Sequence, residues 1–234
     1  MKVSVSIVIP AHNEAGSIHK VISGLESTLK MNHEIIVVND HSTDATKEVV
    51  TNLKDKYQNL TLIDNDGENG FANTLKKGLY AATGDYVVPV MADSCDDAQT
   101  INVMYSKTQE GFDIVCGSRY IKSGQSVRAP AIKSFLSYLA SLILYFLLRI
   151  PTHDITNAFK MYHHKILKAI NIESKGFEIS IEIPIKAYIK GFTLTEVPTI
   201  WYGRTAGKSN FKIFKMAPHY LKWCLWGVTR RYFV

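Results

Sequence analysis

Five short runs of apolar, largely β-branched residues, at 5–9, 35–39, 60–63, 86–91 and 114–117, punctuate the first half of the chain. A longer stretch of helical period separates each run from the next. Strands joined through helices become parallel partners in one sheet, because a crossover of that length returns the chain to the edge it left. The pattern restricts the fold to an α/β sheet with helices on both faces. The helical stretches at 17–29, 44–57, 70–82 and 98–109 carry their own boundaries: Ser42 and Thr43 precede the second, and Thr83-Gly84 closes the third. Ligands of such sheets bind outside the carboxyl ends of the strands. That rule selects residues 10–14, 39–44, 65–69 and 91–97, which follow four of the runs and are polar and mostly acidic.

The second half reads differently. Residues 132–150 (IKSFLSYLASLILYFLLRI) include a stretch, 135–148, in which 12 of 14 side chains are hydrophobic; Lys133 and Arg149 flank it and Pro151 stops it. At 1.5 Å per residue the segment reaches about 28 Å, just short of a hydrocarbon core of roughly 30 Å. A monotopic helix at a membrane surface is the favoured reading, with a buried core helix, a homo-oligomer contact and a true span as alternatives. Strands are expected at 157–162 and 194–197 around a helix at 179–190. The tail from 211 to 234 mixes Phe, Tyr and Trp with Lys and Arg and has no acid, a composition suited to a membrane–water boundary.

Charge follows the same division. Residues 1–113 hold 9 Lys and Arg against 16 Asp and Glu, residues 114–196 hold 11 against 5, and residues 197–234 hold 7 against none. A nucleic-acid binder would not have an acidic first half, so the anionic partner is local to the basic parts. Three cysteines without CxxC spacing indicate neither a disulfide framework nor a structural zinc, and no histidine spacing matches a zinc site. The N-terminal apolar stretch is too short for a signal segment, so a cytoplasmic setting is expected. Both glycine-rich phosphate signatures, GxGxxG and GxxxxGK[ST], are absent.

Two acidic segments carry the chemistry. In Val38-Asn39-Asp40-His41-Ser42-Thr43-Asp44, Asp40 directly follows a strand, where a carboxylate accepts hydrogen bonds from a nucleoside; Asp44 is equally suited to capping the next helix. In Met91-Ala92-Asp93-Ser94-Cys95-Asp96-Asp97, three carboxylates within five residues suit a divalent cation on a diphosphate, with a solvated turn that caps the following helix as the alternative. Glu178 and Glu182 share a helix face at i and i+4, with a cap at the helix start as the plainer role for Glu178.

The run Ser6-Ile7-Val8-Ile9-Pro10-Ala11-His12-Asn13-Glu14, the Asp40 segment, Ala81-Ala82-Thr83-Gly84-Asp85-Tyr86 and Gly117-Ser118-Arg119-Tyr120 together resemble glycosyltransferase family 2. Asp154 with Thr156-Asn157-Ala158-Phe159-Lys160, Gly176-Phe177-Glu178, and Glu196-Val197-Pro198 followed by Arg204 and Gly207-Lys208-Ser209 resemble its dolichyl- or polyprenyl-phosphate sugar synthase branch. The resemblance spans about residues 4–212. It implies a Rossmann-like A-type glycosyltransferase fold with a mostly parallel sheet, an added apolar interfacial helix and a basic aromatic C-terminal helix. Residues 1–130 would form the nucleotide-sugar-binding part, 131–151 the interfacial helix, 152–210 the acceptor side of the same catalytic domain, and 211–234 the tail helix.

Residue by residue, the resemblance implies that Pro10, Ala11, Asn13, Glu14 and Asp40 border the nucleotide of a GDP- or UDP-linked sugar. Asp93, helped by Asp96, would hold Mg²⁺ or Mn²⁺. Arg119 and Lys133 would receive the phosphate of a polyprenyl phosphate, and Arg204 and Lys208 would lie by the donor diphosphate; Asp93, Arg119 and Arg204 would be catalytic. One acid of the family's Asp-x-Asp pattern is replaced by Met91, so either Asp93 and Asp96 suffice for the metal or metal dependence is weakened. The implied activity is inverting transfer of a hexose to a polyprenyl phosphate at the cytoplasmic face of a membrane, by a peripheral protein. A family 2 transferase acting on a sugar hydroxyl, with Asp96 or Asp97 as base, and a non-catalytic membrane-associated relative are the alternatives.

Overall fold

The structure, a computed structural model, describes residues 2–203 and 213–233. Strand and helix alternate as the sequence pattern requires: β1 Val5–Ala11, α1 Ile18–Thr28, β2 His33–Asn39, α2 Thr46–Lys54, β3 Leu60–Asp64, α3 Phe71–Ala81, β4 Tyr86–Pro89, α4 Ala98–Thr108 and β5 Ile114–Ser118. The chain continues through β6 Gln125–Val127, α5 Ala131–Leu148, β7 Lys160–His163, α6 His164–Ala169, α7 Ile179–Ile189, β8 Leu194–Pro198, β9 Ile200–Tyr202 and α8 Ile213–Tyr232. Seven strands form one sheet in the order β3-β2-β1-β4-β7-β5-β8, and β6 and β9 make a separate parallel ribbon.

Alternate residues of β1 serve opposite faces, as the strand period of two demands. Val5, Ile7 and Ile9 join α1, α2 and α4 in one core, while Val8 joins α3, α7 and parts of α5 and α8 in another. Gly78 lets α3 lie close on the sheet, where a side chain would strike Val8 and Val38. The crossovers from β1 and β4 leave in opposite directions, to β2 and to β5, so the loops after these two strands diverge and leave a crevice between them.

One strand departs from the parallel expectation. β7 runs antiparallel between β4 and β5, with Val87 opposite Tyr162 and Cys116 opposite Lys160. The segment between β5 and β7 both leaves and returns at the carboxyl end of the sheet, where the Gly117 N–H meets the Phe159 carbonyl at 3.0 Å. A chain that returns at that end can only run back down. Lys160 at its start is fully buried, and its ammonium donates to the carbonyls of Ile155, Asn157 and Ser180.

α5 is amphipathic with its polar stripe turned inward. Ser137 and Ser141 continue into Leu144 and Leu148 on the buried side; Phe135, Tyr138, Leu139, Ile143, Phe146 and Leu147 are exposed. α8 packs beside it at Gly227, where a side chain would meet Ile185 and Leu148, and it leaves Leu221 and Leu225 exposed. No described helix is long and apolar enough to cross a membrane.

Candidate active site

The loops after β1 and β2 are stitched together by side chains that cap backbone groups. Asn13 sits in the left-handed region (φ 56°), and its side-chain Oδ1 accepts from the N–H groups of Thr43 (2.8 Å) and Asp44 (3.3 Å). The Glu14 N–H donates to Thr46 Oγ1 at 2.8 Å, and Ser17 Oγ donates to Glu14 Oε2 at 2.9 Å. Asp44 accepts from Thr46 N at 2.9 Å and Ala15 N at 3.1 Å, tying the start of α2 to the loop after β1. Pro10 and Ala11 are the last residues of β1 and buried.

Asp40 is the keystone of the neighbouring corner. Its Oδ1 accepts from Asn65 Nδ2 at 2.7 Å and its Oδ2 from the Gly70 N–H at 2.9 Å, joining the ends of β2 and β3 to the start of α3. Burial opposes its charge, yet the Asn65 and Gly70 donors outweigh that and hold the carboxyl below its usual range. His41 Nδ1 also lies 3.3 Å from Oδ1, so the carboxylate that organises the corner is largely engaged by the protein.

The loop after β4 folds its acids onto its own backbone. Asp93 Oδ1 accepts from Cys95 N at 3.1 Å, Asp96 Oδ2 from Met91 N at 2.9 Å, and Asp97 caps α4 through Gln99 N (3.3 Å) and Thr100 Oγ1 (2.8 Å). Burial pushes the Asp96 carboxyl up to about 7 against the pull of the Met91 N–H, and the charge of Asp93 adds to the rise. The β6–β9 ribbon roofs this loop: Asp96 bridges to Trp201, and the Tyr202 N–H donates to the Cys95 carbonyl at 2.9 Å. Between roof and loop lies a cavity of about 460 Å³, which Asp93, Asp96 and Asp97 share with Lys20, Arg128 and Tyr202. Neither Asp40 nor residues 10–14 line it.

Among the described residues no three His, Cys, Asp or Glu side chains gather as a metal cage. Asp93 and Asp96 at one cavity wall still match how Mg²⁺ is held on nucleotides, by one or two carboxylates with substrate phosphates and water completing the shell.

Arg119, just past β5, is built into the fold. Its Nε and Nη2 meet Asp154 at 2.7 and 2.8 Å, its backbone N–H meets the same carboxylate at 2.9 Å, and Nη2 also donates to Ser137 Oγ of α5 at 3.0 Å. The guanidinium lies over the Tyr120 ring, 5.0 Å from its centroid. Thr156 links Ser137 and Ser141 to the same node. In the sequence Asp154 stands out only within its motif, and no local pattern marks Lys20, Arg128 or Tyr202; for Ser137 the one signal is its i, i+4 spacing from Ser141 within an apolar stretch.

Glu178 accepts from the N–H groups of Lys175 (3.1 Å) and Gly176 (3.0 Å), and the fully buried Glu182 from those of Glu173 and Ser174 (both 2.7 Å). Both shape the turn that stacks Phe177 on Phe71 at 4.4 Å, beside Gly70. Arg204 and Lys208 lie outside the described residues, as does the side chain of Lys133.

Residues 6–170 match the family model described as glycosyl transferase family 2. The chain belongs to that family. The match runs from β1 to just past α6, so the Asp40 corner, the 91–97 loop, Arg119 and α5 all lie within the family 2 region, and α7 and α8 follow it. A dolichol-phosphate mannosyltransferase of Pyrococcus furiosus is 29% identical over 95% of this chain and 64% of its own length, so the present chain spans somewhat under two thirds of that relative. A polyprenol monophosphomannose synthase of Mycolicibacterium smegmatis is 27% identical over 96% of this chain and 87% of its own. Among solved structures, glucosyl-3-phosphoglycerate synthase of Mycobacterium tuberculosis with Mn²⁺, UDP and glucosyl-3-phosphoglycerate superposes with a TM-score of 0.71 at 18% identity, covering 96% of this chain and 80% of that one. The same enzyme with Mg²⁺ and UDP gives 0.71 at 17% identity, over 96% and 79%. At that identity the likeness is one of fold, and it confirms the A-type glycosyltransferase architecture of this family 2 member.

Proposed function

We propose that this chain transfers a hexose from a GDP- or UDP-linked donor to a polyprenyl phosphate, with inversion, while lying on the cytoplasmic face of a membrane. The observation that carries the reading is Arg119: a rigidly held guanidinium, the group suited to phosphate, at the foot of a helix whose exposed side is apolar. The names of the two relatives agree with an acceptor of this class. The lipid chain would follow α5 and the phosphate would meet Arg119, with Lys133 near the start of the same helix. Exposed Arg230 and Arg231 at the end of α8 suit anionic headgroups.

A phosphate acceptor is ionised near neutrality, so its oxygen attacks the sugar C1 without a general base. The C1–O bond to the diphosphate breaks in the same step, and the electron pair leaves with the nucleoside diphosphate. In this reading Asp40 and residues 10–14 border the nucleoside, and the family resemblance assigns the diphosphate to Arg204 and Lys208. Mg²⁺ or Mn²⁺ held by Asp93 and Asp96 would neutralise charge developing on the leaving group. Arg119 aligns the acceptor oxygens and offsets their repulsion from the donor.

The test is a mass-spectrometric assay of lipid products from undecaprenyl phosphate and from undecaprenol, against a panel of GDP- and UDP-hexoses. Transfer to the phosphate alone is expected; equal transfer to the free alcohol would replace this reading with a hydroxyl acceptor. Arg119→Lys keeps the charge opposite Asp154 but loses the fork, and it is expected to lower transfer roughly tenfold or more while nucleotide-sugar affinity by calorimetry stays within about twofold. An equal loss of nucleotide-sugar affinity would move Arg119 to the donor side.

A further inference from the structure

Arg119 spends two of its three guanidinium nitrogens on the protein. Nε and Nη2 form a fork on Asp154 at 2.7 and 2.8 Å, Nη2 reaches Ser137 at 3.0 Å, and Nη1 has no bond among the described residues. Asp154 has no solvent exposure, and three of its bonds, from the Arg119 backbone, Nε and Nη2, go to this one residue. Behind it the loop is braced. The Asp154 N–H donates to Thr152 Oγ1 at 3.2 Å, Thr152 donates to Glu196 of β8 at 3.2 Å, and His153 lies between Glu196 and the Tyr145 ring of α5. Ser137 and Thr156, bonded at 2.6 Å, tie the node to the helix with the exposed apolar side. A cation whose only role was to balance a buried acid would not need an anchor on that helix as well.

We propose that Asp154 is a positioning residue for the transfer, which with Ser137 of α5 clamps two edges of the Arg119 guanidinium so that its remaining edge meets the acceptor phosphate. Asp154 also reduces the net positive charge of the node, so that the lipid phosphate is aligned rather than captured. The inference rests on the reading of Arg119 as the acceptor-phosphate residue. Burial works against the charge on Arg119, but Asp154 more than compensates and raises its pKa above the usual arginine value.

The clamp predicts a division of kinetic effects that a structural role would not produce. Asp154→Asn in the full chain is expected to lower kcat for undecaprenyl phosphate by roughly tenfold or more, while KM for that acceptor stays level or falls and donor affinity is unchanged. A folded Asp154→Asn with wild-type kcat overturns the proposal. So does one in which acceptor KM rises while kcat holds, since Asp154 would then be a wall of the lipid site. Should Asp154→Asn fail to fold, Ser137→Ala decides, because it removes one neutral anchor from a side chain that is only half-buried. A severalfold lower kcat at unchanged KM and unchanged Tm supports the clamp, and wild-type kcat sinks it. Arg119→Lys separates this inference from its premise. If Arg119→Lys transfers normally, the premise has failed; if it is impaired while Ser137→Ala and a folded Asp154→Asn are normal, only the clamp has failed.

Discussion

Asp40, Asp93 and Arg119 show how differently three charged side chains at strand ends are used. Asp40 ties three elements together, and its sign with pH follows from its held-down pKa: the stabilisation is present above the usual 3.8 and is lost as the pH falls through the lower folded-state value. Asp40→Asn is therefore expected to cost roughly 2 kcal/mol at neutral pH, with the gap to wild type closing in thermal melts taken below that range. Asp93→Asn is expected to abolish transfer with Tm unchanged, and near-normal turnover with Mg²⁺ or Mn²⁺ present would remove the metal assignment. Met91→Asp is the companion, expected to leave ion affinity level or raise it in a titration with Mn²⁺. Arg119→Ala is a poor probe of catalysis, because it strands the carboxylate of Asp154 without exposure or a counter-charge; a loss of about 3–5 kcal/mol is expected in denaturant unfolding.

At the scale of elements, α5 and β7 depart most from what local pattern suggests. The sequence shows 132–150 as apolar on nearly every side, yet the two serines within 135–148, Ser137 and Ser141, are the residues the fold turns inward to Thr156 and Arg119. A helix that hides hydroxyls and exposes Phe135 at 63%, Ile143 at 47% and Phe146 at 68% presents the apolar face on which the proposed membrane docking rests. Changing these three to serine is expected to leave the Tm intact while lowering liposome binding and transfer to undecaprenyl phosphate together. Normal transfer by a variant that no longer binds liposomes would exclude the membrane role. Tyr145 is unsuited to the same experiment, since its ring stacks on His153 at 4.4 Å and its loss would disturb the loop that carries Asp154.

Across the whole molecule, the tail helix is tied to the α7 side of the sheet through Trp223. The indole is 1% exposed and donates to Ser174 Oγ at 2.9 Å, and Lys186, paired with the buried Glu182, lies 4.5 Å from its ring. Trp223→Ala is expected to destabilise the protein by about 3–5 kcal/mol, read as a lower midpoint in urea. The alternation of elements, their boundaries to within a few residues, and the acids after β2 and β4 were legible beforehand, because strand period, helix caps and turn chemistry depend on residues close in sequence. So was the family, since its motifs are short and ordered. The reversal of β7, the raised pKa of Asp96 and the inward serines of α5 were not, nor was the bond between Arg119 and Asp154, 35 residues apart. Those features depend on which surfaces pack together once the sheet has formed, and desolvation and pairing across such distances exist only in the assembled fold.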